Sequence, residues 1–510
     1  MSGKDRSVDR LELDALTWTG LGLVLFGLTL ALFNLTSRSL WWDELFTMAL
    51  ASAETSGADA AEQISADVHP PLYFWGARMW MLLWSSTSDF TLRLFNLVPY
   101  AIAALAAFQT LSRTRDKGLT LWAILFFTSF GTLWYLQEAR MYAMLIASAF
   151  MACLVVMEFR DKVNTPLTPA YAVLTSLGFV ILPFGHWFSL AFCGLILIGL
   201  CVWALRLGAR SYLILFFTQG AVLGLAGVIW ILMNMDNTLG GVGGYGEHIY
   251  GGAITLWGVR LSTTGTLLFT LSLNPILIAA ALYGAVHIAR TRQQLPEFGI
   301  ILGASGVLFV SIYAVSIFAP MYPPRNFTWL IPVLTLLASV GLKRAFDQID
   351  FSNARRAASL LVISAVSATI GWVFITADSV SKTFRLEQDE WRQAGQYVSN
   401  VPGCENSVIP VSTQWLTPRH APDSIAMKYS KKLYDHYLKE GVEARVIIPG
   451  KDTVQIGQTD CSVVLWIGQV GPVESETIAA DVLGPDFNNQ TRRQTFQGHV
   501  VLIADKPENL

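Results

Sequence analysis

The sequence predicts an α-helical polytopic membrane protein with a small C-terminal α/β domain, and three observations carry that fold class. The chain has 510 residues, 53% hydrophobic and only 14% charged, where a soluble protein carries nearer a quarter charged. Its apolar residues come in blocks long enough to cross about 30 Å of hydrocarbon, which takes about 20 residues as helix. From about residue 377 the composition turns polar, broken by short β-branched runs. A net charge of −2 without a basic patch gives no support to a nucleic-acid partner.

Residues 1–14 are polar and charged, and the apolar run after them lacks an Ala-x-Ala cleavage pattern, so the first span is expected to stay as an anchor. We read about eleven spans: 16–36, 88–112, 118–136, 140–159, 168–185, 188–205, 212–234, 263–289, 299–319, 326–343 and 357–377. Lys and Arg crowd the loops on the N-terminal side, as at Arg113, Arg115, Lys117, Arg160, Lys162, Lys343, Arg344, Arg355 and Arg356. The opposite side holds only Arg38, Arg78, Arg93, Arg140, Arg260 and Arg325 before residue 377. This bias puts the N-terminus in the cytoplasm, and an odd number of spans then puts the tail outside. The expected domains are a transmembrane domain over 1–376, with its first external loop at 37–88, and a periplasmic α/β domain over 377–510.

That first external loop is too long for a turn. One surface helix is expected from Asp43 through "DELFTMALASAE". A second is expected from "HPPLYFWGARMWMLLW", with Pro70 and Pro71 in its first turn, where a missing N–H costs nothing. At this length the second helix is too short to span, and Trp75, Trp80 and Trp84 suit the headgroup layer. "WYLQEARMYA" returns Glu138 and Arg140 to the same face, and "MYPPRNF" returns Arg325. Asp43, Glu44, His69, Glu138, Arg140 and Arg325 are therefore expected to converge on one membrane surface.

In the tail, "EQDEWRQAGQYVSN" places Trp391, Ala394 and Val398 at helical spacing. "SVIPVST", "ARVIIPG", "SVVLWIG" and "HVVLIAD" read as buried strands. Cys153, Cys193 and Cys201 lie in apolar spans and read as packing residues. Cys404 and Cys461 each precede a strand, so adjacent parallel strands would bring them together in a compartment that permits a disulfide; two separate buried cysteines are the alternative. "GGVGGYGEHIYGG", residues 240–252, reads as an external loop able to close over a bound donor.

The convergent set has a chemical logic. A lipid-linked phosphate-sugar holds its phosphate at headgroup depth with the sugar just outside. Transfer needs a carboxylate to take the acceptor's proton, donors for the departing phosphate, and apolar surface for the lipid chain. His69 stands at a helix N-terminus, which favours an anion, and Arg140 and Arg325 can add charge-assisted bonds. Plain structural readings stand beside these: solvated ends for Asp43 and Glu44, a helix cap for His69, an interfacial ion pair for Glu138 and Arg140, and a headgroup anchor for Arg325. His186 and His248 read as structural.

"SLWWDELF", then "HPPLYFW", then "YLQEARMYA" resembles the GT-C membrane glycosyltransferases. The group it is most similar to includes bacterial protein O-mannosyltransferase-like enzymes, lipid A aminoarabinose transferases and rhizobial galacturonosyltransferases. The resemblance implies an inverting hexosyl or pentosyl transferase at the cell inner membrane. Its partners would be a polyprenyl-phosphate-sugar donor, a lipid, glycan or protein acceptor, and the membrane lipids. It implies a catalytic acidic residue in the first external loop, matched here by Asp43 with Glu44 beside it. Aminoarabinose transferases carry a phosphate-contacting lysine before their Pro-Pro, where this chain has His69. No cofactor is required; a divalent cation at Asp43 is compatible with the family, although no ligand spacing calls for one. A transporter or flippase of lipid-linked glycans is the alternative, but such proteins bury ionisable residues at the midplane, and these spans are nearly free of charge.

Overall fold

A computed structural model describes residues 15–33, 35–36, 39–67, 69–114, 116–234, 274–292, 295–316, 324–349, 352–376, 390–413, 425–456, 461–468 and 472–504. The glycine-rich stretch 240–252 lies outside the described residues. The chain divides into two compact units. One comprises Met1–Phe33, Ser65–Tyr73 and Leu94–Phe384; the other comprises Asn34–Ile64, Phe74–Arg93 and Arg385–Leu510. This division follows contact, whereas the boundary at 376/377 concerns membrane side and remains a proposal.

The protein is mostly helical, with several apolar helices. Among the described residues, five are long and apolar enough to cross a membrane: Asp89–Thr114, Tyr142–Lys162, Trp187–Arg206, Arg210–Met233 and Leu295–Val315. The pair Lys117–Thr128 and Phe130–Leu136, bent by 48°, makes a sixth if its two helices are counted as one span. The break falls at Ser129, whose hydroxyl accepts from Thr132 N–H to cap the second helix. Helices Ala15–Phe33, Pro275–Thr291, Leu330–Gln348 and Asn353–Thr376 fall on four of the five remaining expected spans.

Within the first unit, Tyr142–Lys162 is apolar on all sides and buried along nearly its whole length, as a central helix must be. Arg210–Met233 is equally apolar but exposes Phe217, Leu225 and Leu232, which suits a lipid-facing position. Helices Pro275–Thr291 and Leu330–Gln348 approach backbone to backbone. A Cβ on Gly341 would stand 1.9 Å from the Ala280 carbonyl oxygen, and one on Gly284 would stand 2.1 Å from that of Leu337. Only glycine permits this contact, the small-residue packing that membrane helices favour. The expected span at 168–185 departs from a regular helix. After Pro169–Ser176 it widens into a π turn, Leu177–Ile181, then tightens into a 3-10 turn, Leu182–Gly185. Pro183 cannot donate to a continuing ladder, and the chain restarts at the Trp187–Arg206 helix with His186 as its cap.

The second unit joins helices of the 37–88 segment to a five-stranded sheet. The first expected loop helix is Trp42–Ala51 and the second is Leu72–Trp84. Pro70 and Pro71 precede the second helix rather than forming its first turn: two fixed φ angles set the approach, and the ladder begins after them. A further helix, Gly57–Ala66, lies between the two. The sheet has strand order β2-β1-β3-β5-β4, with β1 Val408–Thr413, β2 Glu443–Val446, β3 Val463–Gly468, β4 Thr491–Phe496 and β5 His499–Ala504. β1 runs parallel to β2 and β3, while β5 is antiparallel to both β3 and β4. Its core gathers Ile447, Leu465, Ile467, Val482 and Leu502. Cys404 and Cys461 are bonded, each just before one of the parallel neighbours β1 and β3.

Candidate active site

Four of the expected site residues lie in the first unit, near the start of the Tyr142–Lys162 helix. His69 is held by Asp67, whose Oδ1 accepts both the His69 backbone N–H at 2.7 Å and its ring Nδ1 at 2.8 Å. Burial alone would raise the Asp67 carboxyl, but the charge of His69, its hydrogen bonds and the nearby Arg140 outweigh it and hold the group below the ordinary carboxylate value. The His69 ring lies 5.6 Å from that of His186, which in turn lies 5.7 Å from that of Tyr142. Burial, and then the positive charge of His69, Arg140 and Arg325, pushes His186 well below the usual imidazole value. His69, Arg140 and Arg325 therefore lie within electrostatic reach of one buried ring.

Local structure explains the approach. His186 Nδ1 accepts the Phe188 N–H and so caps its helix. Gly185 allows this turn to lie against the first turn of the Tyr142–Lys162 helix, since a Cβ there would stand 2.7 Å from Met144 Sδ. Ser148 and Ser189 close the same seam at 3.0 Å. The 138–140 turn is fixed from the other side. Tyr73 donates to Asn96 Oδ1 at 3.1 Å, and Asn96 Nδ2 donates to the carbonyls of Leu136 and Glu138. Trp134 Nε1 donates to the Glu138 carboxylate at 2.7 Å. An apolar recess lined by Tyr100, Ala103, Phe126, Leu136, Ala143 and Ile146 takes residues from both sides of this polar turn.

Asp43 and Glu44 lie in the second unit, and their settings differ. Glu44 is 1% exposed and chelated by Arg93, with Nε to Oε1 at 2.8 Å and Nη2 to Oε2 at 2.6 Å. Its Oε2 also accepts the Trp41 N–H at 3.2 Å, closing the first turn of the Trp42–Ala51 helix. Arg93 donates onward to the carbonyls of Leu35 and Ser39. Asp43 stands in the same first turn and is half-buried. At the other end of this helix, Arg78 gathers the carbonyls of Leu50, Ser52 and Thr55. Asp89 accepts from Arg392 at 2.7 Å and Tyr437 at 2.7 Å and pairs with His436 at 2.8 Å, tying the tail's helices to the loop segment.

No family model matches the sequence, and no curated protein matches it. Solved structures do. ArnT from Cupriavidus metallidurans bound to undecaprenyl phosphate aligns over 96% of this chain and 98% of its own, with 12% identical residues and a TM-score of 0.53. The same protein in the apo state aligns over 94% and 97%, with 11% identity and a TM-score of 0.51. The chain has the GT-C fold. An oligosaccharyltransferase from Archaeoglobus fulgidus aligns with a TM-score of 0.46, too low to carry an argument.

The structure places the predicted residues His69, Glu138, Arg140 and Arg325 in one unit and adds partners that the sequence reading does not single out, Asp67, Arg93 and Asp89. Asp67 carried a signal two residues before His69; Arg93 pairs across 49 residues and carried none. Among the described residues, no group of three or more His, Cys, Asp or Glu side chains is placed to hold a metal ion.

Proposed function

We propose that this protein is a glycosyltransferase moving a sugar from a polyprenyl-phosphate-linked donor to a lipid, glycan or protein acceptor, on the periplasmic face of a bacterial inner membrane. The observation that carries the proposal is the end-to-end GT-C fold shared with ArnT, whose structure contains undecaprenyl phosphate. The basic side chains His69, Arg140 and Arg325 support it.

In this reading Asp43 takes the proton from the acceptor hydroxyl as its oxygen bonds to the anomeric carbon. The bond from that carbon to the phosphate oxygen breaks, and the polyprenyl phosphate leaves with the electron pair. His69, Arg140 and Arg325 receive the growing charge, where fixed donors act most strongly. Glu138 shapes the acceptor side. Glu44 acts through Asp43 rather than on substrate: chelated by Arg93, it fixes the helix turn that presents its neighbour. The apolar recess offers surface to the first isoprenyl units. Attack from the face opposite the leaving phosphate inverts the anomeric centre.

The test is mass spectrometry of glycolipids and surface glycans from cells with and without the gene. We expect one sugar to vanish from one acceptor while its polyprenyl-phosphate donor accumulates. Unchanged acceptors and unchanged donor in the deletion strain would overturn the proposal.

A further inference from the structure

The segment that leads into Asp43 is held by the tail as well as by its own loop. The Leu40 N–H donates to the Tyr437 hydroxyl at 2.7 Å, and that hydroxyl donates to Asp89 Oδ2 at 2.7 Å. A hydroxyl has one proton to give, so the two bonds fix its direction. Burial, and then the Asp89 carboxylate, pushes the Tyr437 group above its ordinary value, which keeps that proton in place. Arg392 donates from Nη1 to the Thr36 carbonyl at 2.7 Å and from Nη2 to Asp89 Oδ2 at 2.7 Å. Its guanidinium lies 5.7 Å from the centre of the Tyr437 ring. Trp42 meets Trp391 with 6.1 Å between ring centroids, and Trp391 is itself fully buried against Tyr434, Trp466 and His499. All of these residues belong to the second unit.

We propose that Tyr437, Arg392 and Trp391 of the tail are positioning residues, which act through Thr36, Leu40 and Trp42 to set the direction in which Asp43 points. Transfer then depends on the tail without any tail residue touching the reacting atoms. The proposal rests on the functional reading above, in which Asp43 is the base.

Asp43 stands between two neighbours that are held from different parts of the chain. Glu44 is fixed by Arg93 of the loop segment, and Trp42 packs on Trp391 of the tail. Successive helical residues point about 100° apart, so contacts at both neighbours fix how the first turn is rotated about its axis. A carboxylate about 6 Å from the axis moves by about 1 Å when that turn rotates by about 10°. Misplacement of a catalytic group by about 1 Å can cost about 100-fold in rate. The Leu40 N–H lies three residues before Asp43, just ahead of the turn that Glu44 closes on Trp41, and it takes its acceptor from the tail. Without Tyr437 that N–H loses its acceptor, and the lead into the helix loses its anchor.

The experiment compares wild type with Tyr437→Phe in the purified full-length protein in nanodiscs. Phenylalanine keeps the ring and removes the acceptor of the Leu40 N–H. The readouts are hydrogen exchange of amides 40–46, affinity for undecaprenyl phosphate, and turnover of the polyprenyl-phosphate sugar that accumulates in the deletion strain. Exchange at 40–46 should quicken by about tenfold. Turnover should fall by about 10- to 100-fold, with affinity for undecaprenyl phosphate within about twofold of wild type. In an Asp43→Asn background the same substitution should cost less than about twofold more, because the group that Tyr437 positions is already gone. A role in general stability would cost the same in both backgrounds, so equal fold losses would overturn the proposal. Unchanged exchange at 40–46 in Tyr437→Phe would overturn it too. If melting shows that Tyr437→Phe does not fold, Arg392→Gln, which releases Thr36 and one bond to Asp89, is held to the same two criteria. Undecaprenol binding as tightly as undecaprenyl phosphate would overturn the transferase reading itself; a preserved phosphate preference with full turnover in Tyr437→Phe overturns this inference alone.

Discussion

Asp43 and Glu44 are adjacent carboxylates in one helical turn, yet their surroundings assign them different tasks. Glu44 and Arg93 are both almost fully buried and satisfy each other bidentately. Removing one partner of such a pair leaves an uncompensated buried charge, which costs about 3–5 kcal/mol. Glu44→Ala should therefore lower the melting temperature of the purified protein. Asp43→Asn changes almost no volume and should leave melting unchanged while lowering transfer by about 10²–10⁴, the worth of a general base. Paired measurement of turnover and melting separates the two. Wild-type turnover in Asp43→Asn removes the base, and wild-type melting in Glu44→Ala removes the structural role.

At the scale of elements, legibility followed burial. β1, β3 and β5 each coincide with an apolar β-branched run and are largely buried, leaving no polar alternation to hide them. β2, an edge strand with Glu443 and Arg445 exposed, overlaps the run "ARVIIPG" only at 444–446. β4, "TRRQTF", was missed: it is an edge strand with four of its six residues exposed, and nothing in its composition distinguishes it from loop. The helix Ile425–Asp435 went unread because its charges dominate so short a window. The π turn before His186 was invisible because hydropathy does not record hydrogen-bond register. β5 carries a testable consequence. His499 is fully buried against Trp391, 4.4 Å between ring centroids, and accepts from Trp466 Nε1. Burial pushes its pKa down to about 3. The folded protein then refuses a proton that the unfolded chain accepts below about pH 6.5, so this group makes stability fall as pH drops. Between pH 7 and pH 5 the loss should be about 2 kcal/mol from this ring. A His499→Gln variant, which retains an acceptor for Trp466, should show a flatter stability profile over that window. Parallel profiles for the two proteins would show that the ring does not govern acid sensitivity.

At the scale of the whole molecule, the prediction concerns the side of the membrane on which the tail lies. We propose a periplasmic tail, and two features of different kind support it. Lys and Arg concentrate in the short loops on the N-terminal side of the spans, the charge bias that keeps such loops in the cytoplasm. The tail contains the chain's one disulfide among the described residues, while the cysteines of the apolar helices, Cys153, Cys193 and Cys201, are reduced. A disulfide persists in an oxidising compartment and is rare in the cytosol. The two features have different physical origins, insertion energetics and redox chemistry, so their agreement is more than one signal counted twice. Fusions after residue 510 should then give an active periplasmic phosphatase and a dark green fluorescent protein. In intact cells Cys404 and Cys461 should resist alkylation until a reductant that does not cross the membrane is added. A bright fluorescent fusion, with both thiols alkylated only after the inner membrane is permeabilised, would reverse the topology, and a transferase whose tail folds in the cytoplasm would need an even number of spans.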